Sequence, residues 1–390
     1  MISRIFLLLL LLIVVPDVYI DRRFLRTHAR VVWWHRLLWW LPALMMIVYT
    51  LSFLFIDGFA PADVTVLNLY LFLTGMVVVP KFLFMLCSLA GGMMRRWCHS
   101  RINYGNIVGA LLVIWVWCVM IYGCSLGFSR VVVRQMTYAS PDLPAAFDGY
   151  RIVQFSDAHV GTYGKSRQSI LRSVVDTIQS LHPDMIVFTG DLQNRVPQEI
   201  IPHREILRRL SAPDGVYSVM GNHDYAQYSD AVSEQAKRAN ILATERMERE
   251  MGWDLLLNEN RVIHRGNDSI FIAGMENDGD GQRFPQYGNV KAALKGVRKS
   301  NFVVMLQHDP TCWRRKILPL SHAQLTLSGH THAMQFELFG WSPAYLAYRE
   351  WGGVFYEGKR AINVSTGVGG FLPFRFGVPG EVVEITLKKE

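Results

Sequence analysis

The sequence predicts a chain of two parts: an N-terminal helical transmembrane bundle, then an α/β domain of two packed mixed β-sheets flanked by helices. Three observations support this fold class. Apolar stretches long enough to span a bilayer lie only in the first third of the 390 residues. After about residue 150, short β-branched runs alternate with amphipathic helical patterns. Several of those runs end at side chains that bind metals or transfer protons.

The N-terminal part contains four apolar stretches: Ile5–Ile20, Leu37–Ile56, Val66–Leu89 and Ile107–Phe128. The last three reach the roughly 20 residues that a transmembrane helix needs. The first is short and contains Pro16 and Asp17. We favour a retained short span over a signal-peptide core, because no small-x-small cleavage site follows it. We therefore divide the chain into residues 1–128, a transmembrane region with about four helices; 129–149, a linker with a candidate edge strand; and 150–390, the α/β domain.

Charge is unevenly distributed between these parts. Of the formal net charge of +8, residues 1–148 contribute +6 and the remainder only +2. The α/β domain therefore gives no reason to expect nucleic-acid binding. Of the five cysteines only Cys312 lies in that domain, which excludes an internal disulfide and a cysteine-based zinc site there.

Arginines in the loops predict the membrane orientation. Five lie in Asp21–Arg36 and three in Gly91–Asn106, whereas Asp57–Thr65 has neither Lys nor Arg. The positive-inside rule makes both arginine-rich loops cytoplasmic. We therefore predict a multi-pass protein of the inner (cell) membrane, with its α/β domain on the periplasmic or extracellular side. Lys81, inside an apolar stretch, is either snorkelling or buried against a neighbouring helix, or marks a polar site in the bundle.

Buried strands are predicted where apolar runs precede polar motifs: Arg151–Phe155, Met185–Phe188, Val216–Met220, Phe302–Leu306 and Leu325–Leu327. Four further short strands are predicted around Arg261–His264, Ile270–Ala273, Ala361–Ser365 and Val382–Leu387. Val131–Met136 is the candidate edge strand. Helical spacing of apolar residues predicts helices at Ser166–Leu181, Glu199–Leu210 and Ser229–Ala239.

The polar motifs supply a set of metal ligands at the carboxyl ends of these strands, where open α/β sheets place their sites. Imidazole and carboxylate donors together suit Mn, Fe or Zn better than Mg or Ca. Two such ions close together need about seven ligands, one of them bridging. The sequence offers Asp157, His159, Asp191, Asn222, His308, His330 and His332. Because alternate strand residues face opposite ways, His330 and His332 reach one centre only if a turn lies between them, which Gly329 permits.

Each of these residues has a plainer interpretation when taken alone. Asp157 and Asp191 are plausible helix N-caps, and His308 is a plausible interior histidine. The acidic loop at residues 275–280 is either solvated or a third metal site. The aromatic stretch Phe336–Tyr356 is a packed loop, a wall for an acyl chain, or a surface resting on the bilayer. The seven donors in one order favour a metal centre over coincidence.

The order D-x-H, G-D, G-N-H-D, a lone His and G-H-x-H resembles the calcineurin-like metallophosphoesterase superfamily over about residues 151–387. The N-terminal helices and the closing run Gly367–Gly377 are similar to its bacterial membrane-anchored branch. The resemblance implies a bridging hydroxide as nucleophile and His223 as the catalytic general acid. It also implies two divalent ions that share Asp191, one with Asp157, His159 and His332, the other with Asn222, His308 and His330.

One position departs from the family pattern. Many members carry an acid where this chain has Asn194, and that acid orients the catalytic histidine. The Asn194 amide could still fix the His223 ring, and Asp224 could compensate for the missing charge.

The predicted function is a dinuclear, metal-dependent phosphatase or phosphodiesterase that acts on a lipid or lipid-linked phosphate. Relatives that cleave a nucleotide-linked acyl sugar use a cytoplasmic substrate, which the predicted orientation disfavours. The alternatives are a tethered nucleotidase or phosphodiesterase for soluble substrates, and a non-catalytic membrane scaffold with a relic metal site. Expected partners are the lipid bilayer, a phosphorylated substrate and two divalent ions (Mn, Fe, Zn or similar). Nucleic acid is not expected, and the sequence does not define the oligomeric state.

Overall fold

The computed structural model describes residues 6–28, 30–55, 64–231, 233–281 and 284–390. The chain forms two compact units, Met1–Cys124 and Ser125–Glu390. The first unit is helical, with α1 Phe6–Ile20, α2 Trp33–Ser52, α3 Val64–Leu73, α4 Val79–Trp97 and α5 Tyr104–Tyr122.

Three helices in the described part of the chain are long and apolar enough to cross a membrane: Trp33–Phe55, Val64–Trp97 and Tyr104–Gly127. The second combines α3 and α4, which a π-helical turn at Thr74–Val78 joins into 34 continuous residues. Helix α1 has 15 residues, fewer than the roughly 20 of a perpendicular span. Its role as a fourth span therefore stays a prediction.

A buried ion pair links the short first helix to the rest of this unit. The Lys81 ammonium donates to both carboxylate oxygens of Asp17, at 2.7 and 3.0 Å. It also lies 4.7 Å from the ring centroid of Trp39. Tyr19 and Ser88 form a second polar contact, with their hydroxyl oxygens 2.8 Å apart. Lys81 thus packs against neighbouring helices in an ion pair with Asp17, an arrangement that fits both interpretations of this residue.

The second unit contains two six-stranded sheets. Their strands are β1 Val131–Ser140, β2 Arg151–Phe155, β3 Met185–Phe188, β4 Val216–Ser218, β5 Asp254–Leu255, β6 Glu259–Arg265, β7 Asp268–Gly274, β8 Phe302–Leu306, β9 Leu325–Ser328, β10 Gly353–Glu357, β11 Arg360–Val364 and β12 Gly380–Lys389. One sheet has the order β1-β12-β2-β3-β4-β5 and the other β10-β11-β9-β8-β7-β6. Both are mixed, because β12–β2, β6–β7 and β10–β11 pair antiparallel while the other pairs are parallel.

Alternate residues of the strands build separate cores on the two faces of each sheet. Ile152 belongs to the core between the sheets, together with residues of β8 and β9, whereas Val153 faces helix α6 on the outside. The helices are α6 Gln168–Ser180, α7 Arg204–Leu207, α8 Glu234–Glu250, α9 Val290–Ala293 and α10 Leu318–Leu320. The predicted fold class, an N-terminal helical bundle with two packed mixed sheets flanked by helices, is confirmed.

Helix α8 carries a buried acid that makes stability depend on pH. Glu248 is fully buried, and one of its oxygens accepts a hydrogen bond from Ser218 Oγ at 2.5 Å. The other oxygen has no hydrogen-bond partner among the residues that the structure describes. Burial raises the pKa of Glu248 well above its ordinary value. The folded state therefore keeps a proton that the unfolded chain releases, so stability falls as pH rises above about 4.5.

Replacing Glu248 by Gln is expected to raise the apparent Tm of the second unit at pH 8 by about 2–4 °C, because no proton need be held there. The gain should shrink toward pH 4.5. Thermal denaturation of the full chain across pH measures it. The control is Glu205→Gln, at a side chain that is 71% exposed. A Tm difference that does not vary with pH would contradict the burial argument.

Candidate metal centre

Left-handed backbone at the strand ends brings the predicted ligands together. The φ angles are 53° at Asp157, 43° at His159, 61° at Asp191, 78° at His330 and 50° at His332. Such values are uncommon outside glycine, and Asp and His tolerate them better than bulky residues do. Left-handed residues directly after a strand end the alternation of side chains between its two faces. His330 and His332 are separated by one residue and therefore face the same centre. The sequence had made this depend on a turn between them.

The first group of donors contains Asp157, His159 and His332, whose donor atoms all lie within 4.8 Å of one another. The two histidine Nε2 atoms are 3.2 Å apart, and His332 Nε2 is 3.3 Å from Asp157 Oδ1. Asp191 Oδ2 lies 3.6 Å from His159 Nε2. A carboxylate on the next strand therefore borders this group.

The second group is built around the same Asp191 carboxylate. Its Oδ2 lies 3.2 Å from His308 Nε2, and Asp191, His308 and His330 form a second cluster within 4.8 Å. His330 Nδ1 is 2.8 Å from Asn222 Oδ1, which adds the amide predicted as a ligand. The predicted donors thus form two neighbouring groups, and the Asp191 carboxylate contacts a histidine of each.

These donors fit divalent metal ions in spacing and in protonation. Bonds of about 2.0–2.2 Å to one ion put neighbouring ligand atoms roughly 3.0–3.6 Å apart, a range that includes four of the five contacts above. His308 Nδ1 lies 2.7 Å from the Thr189 carbonyl, which accepts its proton and leaves Nε2 as a lone-pair donor. Among the described residues, the buried His308 Nε2 has no hydrogen-bond partner, as expected of a ligand atom.

The protonation states favoured at His159, His332 and Asp191 are those in which these side chains can bind a metal ion. Burial lowers the pKa of His159 to about 3 and, with the neighbouring His159, that of His332 well below its usual range. Burial alone would raise the pKa of Asp191, but the His308 and His223 imidazoles hold it well below 3.8. Neutral imidazoles around an ionised carboxylate are the species that bind divalent transition ions. At His308 burial opposes the charged form but the Asp191 carboxylate raises the pKa to about 10, so this ring would release a proton when an ion binds.

Glycines in the G-D and G-N-H-D motifs allow the ligand-bearing loops after the strands to lie close together. Gly190 has φ +96°, and a Cβ there would lie 2.6 Å from Gly221 N and 2.8 Å from His308 Nδ1. A Cβ at Gly221 would overlap Asp191 Oδ1. Both motifs therefore need glycine for steric reasons as well as for turn conformation.

His223 lies beside the donors and is oriented by backbone. Its amide donates to Asp191 Oδ1 at 2.9 Å, and its ring Nδ1 is 2.6 Å from the Asn194 carbonyl oxygen. Because a carbonyl only accepts, the proton lies on Nδ1 and Nε2 is left to act on a substrate. Tyr228 stacks on the ring with centroids 4.1 Å apart.

The structure corrects two expectations about the missing family acid. The Asn194 amide does not fix the His223 ring, since it donates to Thr162 Oγ1 at 2.7 Å, and the main-chain carbonyl takes that role. Asp224 does not replace the acid, because its carboxylate accepts hydrogen bonds from four backbone amides: Asp191, Leu192, Gln193 and Gly221.

Several supporting residues were not identified from sequence. Glu199 accepts from the amides of Asn194 and Arg195, at 2.6 and 3.2 Å, and so fixes the loop that carries the orienting carbonyl. Tyr228 also accepts from the Asn222 amide at 3.0 Å. Neither residue lies in a recognisable motif, so the sequence carried no signal for them.

Two other residues support His330: Tyr348, in the aromatic stretch, and Asp309, which directly follows His308. Its Nε2 lies 3.1 Å from the Tyr348 hydroxyl oxygen and 3.5 Å from Asp309 Oδ2. These partners direct Nδ1 toward Asn222, which is how outer groups commonly orient a metal-binding imidazole.

The structure supports neither a solvated loop nor a third metal site at residues 275–280, since Asn277 and Asp278 are fully buried. Arg315 donates to Asp278 Oδ1 at 3.0 Å, and Lys316 donates to the other oxygen. Two basic side chains thus already neutralise the buried Asp278 carboxylate, so the loop is part of an ion-pair network.

Arg375, in the closing run, holds the loop behind the centre. Its guanidinium is fully buried and donates to five carbonyl oxygens: Thr366, Gly367, Gly369, Val378 and Pro379. Burial lowers its pKa to about 10. Gly367 packs against Asp157, where an added Cβ would be 2.6 Å from the Asp157 Cβ.

Replacing Arg375 by Lys is expected to destabilise the second unit by about 3 kcal/mol, or about 6–12 °C in apparent Tm. One ammonium group cannot donate to five carbonyl oxygens as the guanidinium does. Thermal or urea unfolding of the full chain measures the loss. Arg349→Lys, at a side chain 74% exposed, is the matched control and should change little. Equal stability of the two variants would contradict the assigned role.

Comparisons with known proteins agree with this geometry. Residues 3–128 match the family described as "Probable Calcineurin-like phosphoesterase, transmembrane domain", and residues 150–334 match "Calcineurin-like phosphoesterase". The uncharacterized metallophosphoesterase YkuE of Bacillus subtilis is 31% identical over 285 residues, which cover 68% of this chain and 91% of that protein.

Two further relatives are membrane-related or lipid-related by name. The Danio rerio transmembrane protein with metallophosphoesterase domain is 29% identical over 63% of this chain and 55% of its own length. The UDP-2,3-diacylglucosamine pyrophosphatase LpxG of Chlamydia trachomatis is 27% identical over 71% of this chain and 94% of its own length.

Fold, donor set and membrane helices together define a membrane-associated phosphoester hydrolase of a class that uses divalent metals. The chain belongs to the calcineurin-like phosphoesterase family, as its motif order predicted.

Proposed function

We propose that this chain hydrolyses a lipid or lipid-linked phosphate at a centre of two divalent ions, such as Mn, Fe or Zn. One ion would be held by Asp157, His159, Asp191 and His332, and the other by Asp191, Asn222, His308 and His330. The observation that carries the proposal is the position of Asp191 Oδ2, 3.6 Å from His159 Nε2 and 3.2 Å from His308 Nε2.

The residues divide the chemistry between them. Bound divalent ions supply an activated water at neutral pH and neutralise charge on a phosphoryl group. His223 lies beside them, and with a second proton on Nε2 its ring would be in position to give that proton to the leaving oxygen as general acid, leaving the Nδ1 proton in place. The Asn194 carbonyl holds the Nδ1 proton in place, so the reacting nitrogen keeps one orientation through the cycle.

Two features support an acylated substrate. The chain carries its own membrane helices, which keep the second unit, Ser125–Glu390 (the catalytic unit), near lipid. The LpxG relative is named as a pyrophosphatase of UDP-2,3-diacylglucosamine, a diacylated, nucleotide-linked sugar. The two fatty chains of such a molecule keep it at a membrane surface.

A substrate comparison tests this proposal. With the full chain in mixed micelles, kcat/KM for phosphatidic acid is expected to exceed that for bis(p-nitrophenyl) phosphate by about tenfold or more. A chelator should abolish every activity. Preference for soluble nucleotides would instead favour a tethered nucleotidase, and no hydrolysis by the metal-loaded chain would favour a scaffold.

We also infer that the catalytic unit faces the periplasm or cell exterior, because the arginine-rich loops at residues 21–36 and 91–106 favour the cytoplasmic side. Reporters fused after Glu390 test this orientation independently of substrate. A reporter active only outside the cytoplasm is expected, and one active only in the cytoplasm would refute the inference.

A further inference from the structure

The segment that follows the centre exposes an unusual amount of apolar surface. Of the 13 exposed large apolar side chains in the described part of residues 125–390, six fall between residues 334 and 356. They are Met334 (45% exposed), Phe339 (99%), Trp341 (49%), Tyr345 (65%), Leu346 (78%) and Tyr356 (56%). Soluble proteins rarely concentrate apolar exposure in this way unless the surface binds something.

The most exposed side chain sits at a strained hairpin tip. Leu338 and Trp341 exchange backbone hydrogen bonds of 2.9 and 3.0 Å, which closes a two-residue turn. Phe339 and Gly340 at its centre have φ of +52° and +80°. This turn normally takes Asn or Asp before Gly, and a bulky aromatic residue with positive φ is a rare outlier. Backbone strain that displays a fully exposed ring is typical of a functional site.

The hairpin is fixed to the metal centre through short contacts. His332 begins a left-handed turn in which Ala333, Met334 and Gln335 also have φ between 48° and 56°. Ser342 Oγ, just after the hairpin, donates to the Ala333 carbonyl at 2.6 Å. The 3₁₀ turn Pro343–Leu346 follows and leads to Tyr348, which contacts His330. The exposed side chains are therefore positioned by residues that touch the proposed ligands.

The chemistry of the segment points to a bilayer interface as its partner. Residues 334–348 contain one charged side chain, Glu337, and are rich in Trp, Tyr, Phe and Leu. Amphipathic aromatic rings concentrate at the headgroup level of membranes. The tether to the membrane-spanning part of the chain is also short, because the last apolar helix ends at Gly127 and β1 begins at Val131. Three intervening residues span at most about 10 Å.

We propose that residues 334–348 insert Phe339, Trp341, Tyr345 and Leu346 into the interface of the bilayer that anchors the same chain. The metal centre would then meet phosphate groups at the membrane surface. This inference deepens the proposed function, since it names the surface on which a lipid substrate is reached. The contact itself requires no turnover, so it is tested separately from the substrate.

The test uses the full-length protein in nanodiscs of phosphatidylcholine and phosphatidylglycerol. Photoreactive p-benzoylphenylalanine replaces Phe339, which is 99% exposed and so tolerates the larger ring. After illumination, mass spectrometry should find lipid adducts on this residue at about fivefold or more the yield of the control, as interfacial insertion requires. The control carries the same amino acid at Tyr287, 56% exposed and outside the segment.

Adduct yields at Phe339 no higher than at Tyr287 would overturn the inference. Adducts with a second copy of the chain in place of lipid would also overturn it, since they would make the surface an oligomer contact. Lipid adducts in a protein that hydrolyses no lipid would leave the membrane contact standing and reject only the lipid-substrate proposal. Thermal denaturation matching the unmodified protein shows that each variant is folded.

Discussion

Replacing Asp191 by Asn is expected to lower kcat/KM by about a thousandfold or more, equivalent to about 4 kcal/mol of transition-state stabilisation, and to reduce bound metal. The Asn side chain keeps the shape of Asp191. Its oxygen can still accept the hydrogen bond that the His223 backbone N–H donates to Asp191 Oδ1 at 2.9 Å. It lacks the negative charge that lies between the imidazoles of both donor groups. Steady-state kinetics and elemental analysis of the same preparations measure the two losses.

The matched control is Asp176→Asn, at a side chain that is 58% exposed and paired with Arg209. That variant should keep full activity and metal, because surface ion pairs contribute little. An Asp191→Asn protein with normal metal content and normal rates would show that Asp191 is not the shared ligand.

Replacing His223 by Ala is expected to lower kcat by about 10²–10⁴-fold while leaving the metal content unchanged, since this ring is placed beside the ligands and acts on protons. The loss should be smaller for p-nitrophenyl esters than for alkyl esters. A good leaving group departs without a proton, whereas an alkoxide needs one. Parallel kinetics on the two ester types separate acid catalysis from a general loss of structure.

Exposed His264 provides the control, and His264→Ala should match the unaltered protein. If His223→Ala retained two ions and lost no activity on alkyl esters, the proposed general-acid role would be rejected. A uniform loss on both ester types would assign His223 to charge stabilisation or substrate binding instead.

Sequence patterns predicted the strands that lead into the site because these are fully buried apolar runs. Met185–Phe188 and Phe302–Leu306 occur as strands with the predicted limits. The pairing of ligand motifs with strand ends followed from the general behaviour of open sheets. The left-handed backbone at Asp157 or Asp191 was not predictable, because tertiary contacts impose it on residues that usually avoid it.

Elements with little apolar pattern were placed less well. The helix predicted at Ser229–Ala239 instead occupies Glu234–Glu250, where charged residues obscure the apolar face and Ser233 caps the first turn. Strands β5 and β10 were not predicted, the first because two residues carry too little pattern. The orientation of His223 was missed because a main-chain carbonyl provides it, and side-chain identity does not encode that contact.

The aromatic stretch after His332 shows where sequence leaves alternatives that only side-chain exposure separates. Its composition was compatible with a packed loop, an acyl-chain wall or a bilayer contact. The exposure of Phe339 and Leu346, at 99% and 78%, argues against simple packing for these two side chains.

Metal stoichiometry of the purified full-length protein, measured by inductively coupled plasma mass spectrometry after loading with Mn²⁺ or Zn²⁺, tests the central claim most directly. We predict about two ions per chain in the unaltered protein and fewer than about one in Asp191→Asn, because that carboxylate would serve both sites. Catalytically active protein with less than about one ion per chain would contradict a two-ion centre built on Asp191.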